Sequence, residues 1–184
     1  MHPGQSGKTE KPLRGFPNVP RLFTGTTPLA DYCKKFPNIK KSNLVFCGAT
    51  GTGKTYSAQI IANNLLDRKI DVCYTTAFAM VTAFQKYVQS FGTSDAIDAF
   101  LDCDLLIIDD LGAEPTIKNV TGEHIYNIIN ERLLHNRPFI ITTNLSPAQL
   151  MARYDQRIAS RILSTETSTL IEFKGPDRRI KKSG

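Results

Sequence analysis

The chain has 184 residues, 41% of them hydrophobic, with four cysteines and no tryptophan. That suits one globular domain and excludes collagen, wholesale disorder and a disulfide-dense secreted scaffold. The formal charge is +6, but it sits on the flanks: residues 1–41 carry +6, 174–184 carry +4 and 42–173 carry −4.

Residues 1–20 hold four of the ten prolines with Gly4, Gly7 and Gly15, without periodicity, and read as a flexible lead-in or linker. They contain no hydrophobic core of a signal peptide, and no apolar run approaches the ~20 residues that span a bilayer. A cytoplasmic protein with no membrane contact is expected. A strand is predicted at 44–47 and a helix at 54–67, followed by a strand at 72–75 and helices at 78–90 and 94–101. Further strands fall at 105–108, 139–143 and 169–173. Between them lie helices at 121–135, with Ile125, Ile128, Ile129 and Leu133 on one face, and at 147–163. Ser146-Pro147-Ala148-Gln149 is a capping box with proline at the first helical position. Strand–helix alternation with continuous apolar strands predicts a three-layer α/β domain around a parallel sheet.

The cysteines, Cys33, Cys47, Cys73 and Cys103, form no CxxC pair and read as reduced thiols. His124 and His135 have no ligand partner at metal spacing. Phe78, Phe84, Tyr87 and Phe91 follow the second strand at mixed helical spacing, which reads first as core packing.

Chemistry begins directly after the first strand. Gly48, Ala49, Thr50, Gly51, Thr52, Gly53, Lys54 and Thr55 spell the phosphate-binding pattern GxxxxGK[ST]. Small residues let the backbone curl so that its N–H groups converge on a phosphate, and the next helix adds its positive end. Lys54 reaches the β/γ-phosphates, and Thr55 offers a hydroxyl to Mg2+. Asp109 and Asp110 emerge at the carboxyl end of the 105–108 strand, where an open parallel sheet binds ligands. Asp109 suits the water shell of Mg2+, and Asp110 suits polarising an attacking water. Asn144 ends the 139–143 run and is placed to hold that water or to sense the γ-phosphate. Arg157 and Arg161 are four apart, so on one helix they share a face. They suit a guanidinium offered to a γ-phosphate, and a solvated basic helix face is the plain alternative.

The strings GATGTGKT, LLIIDDLGAE, ITTN and DQRIASRI, in that order, resemble the AAA+ domain of the DnaC/DnaI-type bacterial replicative helicase loaders. The IstB-type transposition helper ATPases are close relatives of that family. The resemblance covers about residues 21–179. It implies a P-loop NTPase of AAA+ type, with a five-stranded parallel sheet in the order 5-1-4-3-2 and a reduced or absent lid. It also implies that 48–55 are Walker A, Asp109 and Asp110 Walker B, Asn144 sensor 1, and that one of the arginine pair is a finger acting on a neighbouring subunit's ATP. Arg161 matches the finger position better, with Arg157 as the alternative.

The implied activity is ATP hydrolysis, with ATP and Mg2+ as cofactors. The implied partners are a hexameric replicative DNA helicase, single-stranded DNA and further copies of the chain in a ring or helix. A P-loop small-molecule kinase is the reading from another class, and transposition help remains open beside helicase loading. The second Walker B carboxylate is Asp where Glu is commoner, which implies slow hydrolysis. Eleven residues follow Phe173, too few for a helical lid, and no sensor 2 can be assigned; Arg178 and Arg179 are weak candidates. Family members carry a separate N-terminal domain that grips the helicase, and the stretch before the first strand is too short to hold one. The chain is therefore expected to be a fragment or a short variant. The expected layout is a lead-in at 1–20, an AAA+ ATPase domain at 21–174 and a basic tail at 175–184. Lys118, the tail and the aromatics near 78–91 are candidate contacts to single-stranded DNA.

Overall fold

The computed structural model describes residues 15–89, 95–115 and 121–177. Five parallel strands form one sheet: β1 (Asn43–Gly48), β2 (Val72–Thr76), β3 (Leu105–Leu111), β4 (Phe139–Thr143) and β5 (Ser168–Phe173). Their order is β2-β3-β4-β1-β5, the expected 5-1-4-3-2 read from the other edge. The three central strands are almost wholly buried because helices cover both faces.

Alternation along each strand divides the core in two. Val45, Leu106, Ile108, Phe139 and Ile141 point to the layer containing α3 (Ala77–Gln89), α4 (Asp95–Asp102) and α5 (Thr121–Leu134). Leu44, Phe46, Leu105, Ile107 and Ile140 face α1 (Pro28–Lys35) and α2 (Lys54–Asp67). Ile125, Ile128 and Ile129 of α5 are buried as their spacing requires. Edge strand β5 departs from the expected continuous run: Leu170 is exposed while Ile171 and Phe173 pack inward, as one open flank dictates.

Two helical predictions change. Helix α1 was not anticipated, although Thr27-Pro28 carries the same start signal as Ser146-Pro147. Thr27 Oγ1 accepts from Ala30 N at 3.1 Å, and Pro28 opens the helix. The single helix expected at 147–163 is two, α6 (Pro147–Arg153) and α7 (Gln156–Ile162). Tyr154 turns extended, and its hydroxyl donates to buried Glu114. Asp155 then caps α7 by accepting from Arg157 N at 2.7 Å. The break reorients α7 and the two arginines it carries.

Packing also reaches into the predicted lead-in. The Asn63 side chain of α2 accepts from Phe16 N and donates to the carbonyls of Phe16 and Val19. The Phe16 ring meets Tyr74 edge-on at 4.8 Å. Residues 16–19 thus belong to the packed body, because a buried amide on α2 takes up their backbone polar groups.

Of the four aromatics expected in the core, Phe84 is buried and stacks on His124 with centroids 4.3 Å apart, and Tyr87 packs against the core from its edge. Phe78 is 60% exposed, because it falls on the outer face of α3, and Phe91 lies outside the described residues. All four cysteines are free thiols.

Candidate functional site

The phosphate loop joins β1 to α2. Its backbone passes through positive φ at Gly48, Gly51 and Gly53, and Gly53 is the N-cap of α2. Chain crowding adds to this requirement at Gly48, where a β-carbon would overlap the Phe173 carbonyl. Thr52 closes the turn by donating to Ala49 O at 2.8 Å. Lys54 is 6% exposed, and its Nζ donates to Gly48 O, Ala49 O and Asn144 Oδ1 at 2.8, 2.8 and 2.9 Å.

The carboxylates arrive by an irregularity in β3. Neighbouring residues of a regular strand point to opposite faces, so Asp109 and Asp110 would normally diverge. The β3–β4 register shifts between Ile108 and Leu111, and Asp110 takes φ of 58°. This bulge brings both side chains to one cavity. Asp109 Oδ1 accepts from Thr55 Oγ1 at 3.0 Å and from Thr142 Oγ1 at 2.5 Å. Asp110 Oδ1 accepts from Asn144 Nδ2 at 2.8 Å. The ends of β1, β3 and β4 are thus tied into one network.

That network lines a cavity of about 600 Å3, large enough for a nucleotide. Gly51, Gly53, Lys54, Thr55, Asp109, Asp110 and Asn144 border it, with Thr50 at its edge. The donor set fits the nucleotide and the metal expected with it. Buried Lys54 and the positive end of α2 suit phosphate, and the paired Thr55 and Asp109 oxygens are hard ligands suited to Mg2+.

Three features escaped the sequence reading. Thr142 donates to Asp109 and accepts from Asp110 N at 2.9 Å; its signal was a hydroxyl directly after the buried apolar run Phe139–Ile141. Tyr56 and Gln59, one and four residues past Thr55 on α2, border the cavity. Asp177 lies against the phosphate loop, so that a β-carbon on Gly51 would overlap its carboxylate. Nearby Tyr74 is kept neutral, since burial first and the Asp109 charge second push its phenol up.

Arg157 and Arg161 share a face of α7 as predicted, but neither borders the cavity. Both guanidinium groups lie over the Tyr126 ring, at 5.2 and 4.7 Å from its centroid. Their surroundings differ in charge. Arg157 pairs with Asp155 and Glu123, each at 3.2 Å. Arg161 donates through Nε to Asn130 Oδ1 at 2.9 Å and through Nη1 to Arg157 O at 3.1 Å. It has no carboxylate partner among the described residues. Glu114, 2% exposed, links the turn after β3 to the α6–α7 corner: it accepts from Gly112 N and Tyr154 Oη, and Arg153 Nη2 donates to its carbonyl at 2.6 Å.

No helix among the described residues is long and apolar enough to cross a membrane, and among them no cluster of metal-binding side chains of the histidine, cysteine and carboxylate kind occurs. Lys118, Arg178 and Arg179 lie outside the described residues.

A family model described as IstB-like ATP binding protein matches residues 35–183. The chromosomal replication initiator protein DnaA of Campylobacter concisus is 30% identical over 149 residues, which cover 79% of this chain and 32% of that protein. The replicative helicase loader DnaC of Escherichia coli K12 is 28% identical over 123 residues, covering 66% of this chain and 50% of DnaC. The chain thus spans half or less of these two relatives. A crystal structure of the DnaC helicase loader superposes with a TM-score of 0.70 at 23% identity, over 79% of this chain and 86% of that one. The sheet order agrees with the fold likeness, and the chain belongs to the IstB-like ATP-binding proteins, within the AAA+ P-loop fold.

Proposed function

We propose that the chain is an ATP-hydrolysing switch of the helicase-loader kind, completed by a second copy of itself. One observation carries this reading: among the described residues the cavity lining contains no arginine, while Arg161 stands elsewhere with no acidic partner among them. Cleaving a γ-phosphate spreads negative charge that an arginine neutralises best, typically for ~10³–10⁵ in rate. Arg161 suits that role in a neighbouring copy's cavity, and Arg157 is already neutralised by Asp155 and Glu123.

Within one copy, the loop amides and Lys54 bind the phosphates, Thr55 and Asp109 hold Mg2+, and Asp110 with Asn144 orients the attacking water. Mg2+ supplies charge neutralisation at the phosphate oxygens. Asp110 is anchored by Asn144 and has a shorter reach than glutamate, which suits slow turnover. Single-stranded DNA and a hexameric replicative helicase are the partners we infer, on the strength of the DnaC likeness. The basic tail is the inferred site of phosphate-backbone contact.

Phosphate release measured against protein concentration tests this reading, with and without single-stranded DNA and helicase. Turnover should rise more steeply than concentration, and Arg161→Ala should retain ATP binding while losing that rise. Strict proportionality, with Arg161→Ala unchanged, would overturn it. Transposition help, the role of the IstB-type relatives in the resemblance above, is the second reading, and the IstB-like family match keeps it open. Capture of a transposase rather than a replicative helicase would decide for it.

A further inference from the structure

We infer that Tyr126 and Asn130 are positioning residues, which preset the Arg161 guanidinium for the nucleotide of a neighbouring copy. The inference rests on Arg161 being the trans-acting arginine. Tyr126 and Asn130 are four apart on α5, as Arg157 and Arg161 are on α7, so the packed helices present two facing pairs. The guanidinium lies over the Tyr126 ring, Asn130 Oδ1 takes its Nε, and the Arg157 carbonyl takes Nη1. Nη2 keeps its hydrogens without a partner among the described residues.

The chemistry of these holders is the telling feature. An amide, a carbonyl and an aromatic ring fix direction without cancelling charge, whereas a carboxylate would do both. Arg157, one turn away on the same ring, shows the other outcome, with two acids beside it. An arginine at a surface normally samples many rotamers, and a reactive geometry then costs conformational freedom at the moment of need. Three neutral contacts remove most of that freedom beforehand while leaving one edge and the full charge to meet a γ-phosphate. The Tyr126 ring, rather than its hydroxyl, is the part that Arg161 uses.

Steady-state ATP hydrolysis by the full chain, assembled on single-stranded DNA, tests this with five variants. Tyr126→Leu should lower kcat roughly tenfold, with the KM for ATP within about twofold. Tyr126→Phe, which keeps the ring, should retain most of the turnover. Asn130→Asp, nearly isosteric, should lower kcat by placing a carboxylate on Arg161. Arg161→Ala should lower kcat further, and Tyr126→Leu should add nothing in that background.

If Arg161→Ala lowers kcat but Tyr126→Leu does not, or if Tyr126→Leu lowers kcat equally with and without Arg161, positioning is overturned while the trans-acting arginine stands. Turnover unaffected by Asn130→Asp would overturn the requirement for neutral holders. If Arg161→Ala itself has no effect, the reading of Arg161 fails and this inference fails with it.

Discussion

Lys54 Nζ donates to Asn144 Oδ1 across 2.9 Å, ninety positions along the chain, and Asn144 in turn donates to Asp110. The residue proposed to meet phosphate and the residue proposed to polarise water are therefore joined through one amide. Two nearby ladders, β1 with β4 and β3 with β4, hold that amide in place.

From this joint, Asn144→Ala should separate binding from turnover. ATP affinity should stay within about threefold, since the loop amides remain, while turnover falls about a hundredfold, as for loss of one preorganised donor. Lys54→Ala should abolish binding itself. A titration with fluorescent ATP, beside phosphate release, measures both.

Thr142→Val tests the contact that no motif announced. The substitution keeps shape but deprives Asp109 of a donor and leaves Asp110 N without its acceptor. Stability should fall by about 2 kcal/mol, and turnover should fall with it as the two carboxylates lose their fixed directions. Urea unfolding and single-turnover hydrolysis report the two effects.

Asp177, four residues past β5, rests its carboxylate against Gly51 of the candidate phosphate loop, where it should repel a bound phosphate. Asp177→Asn should tighten ATP binding by about fivefold, equivalent to ~1 kcal/mol for a charge at the surface. The gain should shrink in high salt. Calorimetric titration at two salt concentrations measures both trends.

His124 stacks on Phe84, and burial holds its imidazole below the ordinary value, with Glu123 opposing. The unfolded chain binds this proton near pH ~6.5, and the folded chain binds it only at lower pH. Between those values the unfolded state carries more protons, so stability falls as pH falls through ~6.5. The urea midpoint should therefore drop between pH 7.5 and 5.5, and His124→Gln should drop less.

The strands predicted at 105–108 and 139–143 were legible because a sheet buried on both faces demands mostly continuous apolar runs, a signal carried by adjacent residues. The helix at 54–67 was legible for a related reason: a phosphate loop must be followed by a helix start. Helix α1 was missed beside a proline-rich stretch, although Thr27-Pro28 announced it. The break at Tyr154 depends on Glu114, forty positions away, and no local pattern contains that distance. Arg132 follows the same logic. It is wholly buried and donates to the carbonyls of Phe100, Cys103 and Pro138, yet in sequence it is an ordinary helix-surface arginine.

The sequence by itself determined which residues build the candidate phosphate loop and which carboxylates accompany it, because loop curvature, helix start and strand end are local consequences of neighbouring side chains. It also located the excess positive charge on the flanks, outside residues 42–173. Only the tertiary structure decided that Asp109 and Asp110 face one cavity, since a bulge against β4 overrides strand alternation. It also gave a physical reason to separate Arg161, which the family resemblance already favoured, from Arg157, its equal in helical spacing. The difference lies in their neighbours: Glu123 of α5 and Asp155 beside one, and the Asn130 amide of α5 for the other, with both over the same Tyr126 ring. Charge neutralisation depends on contacts between elements, and those exist only once the helices are packed.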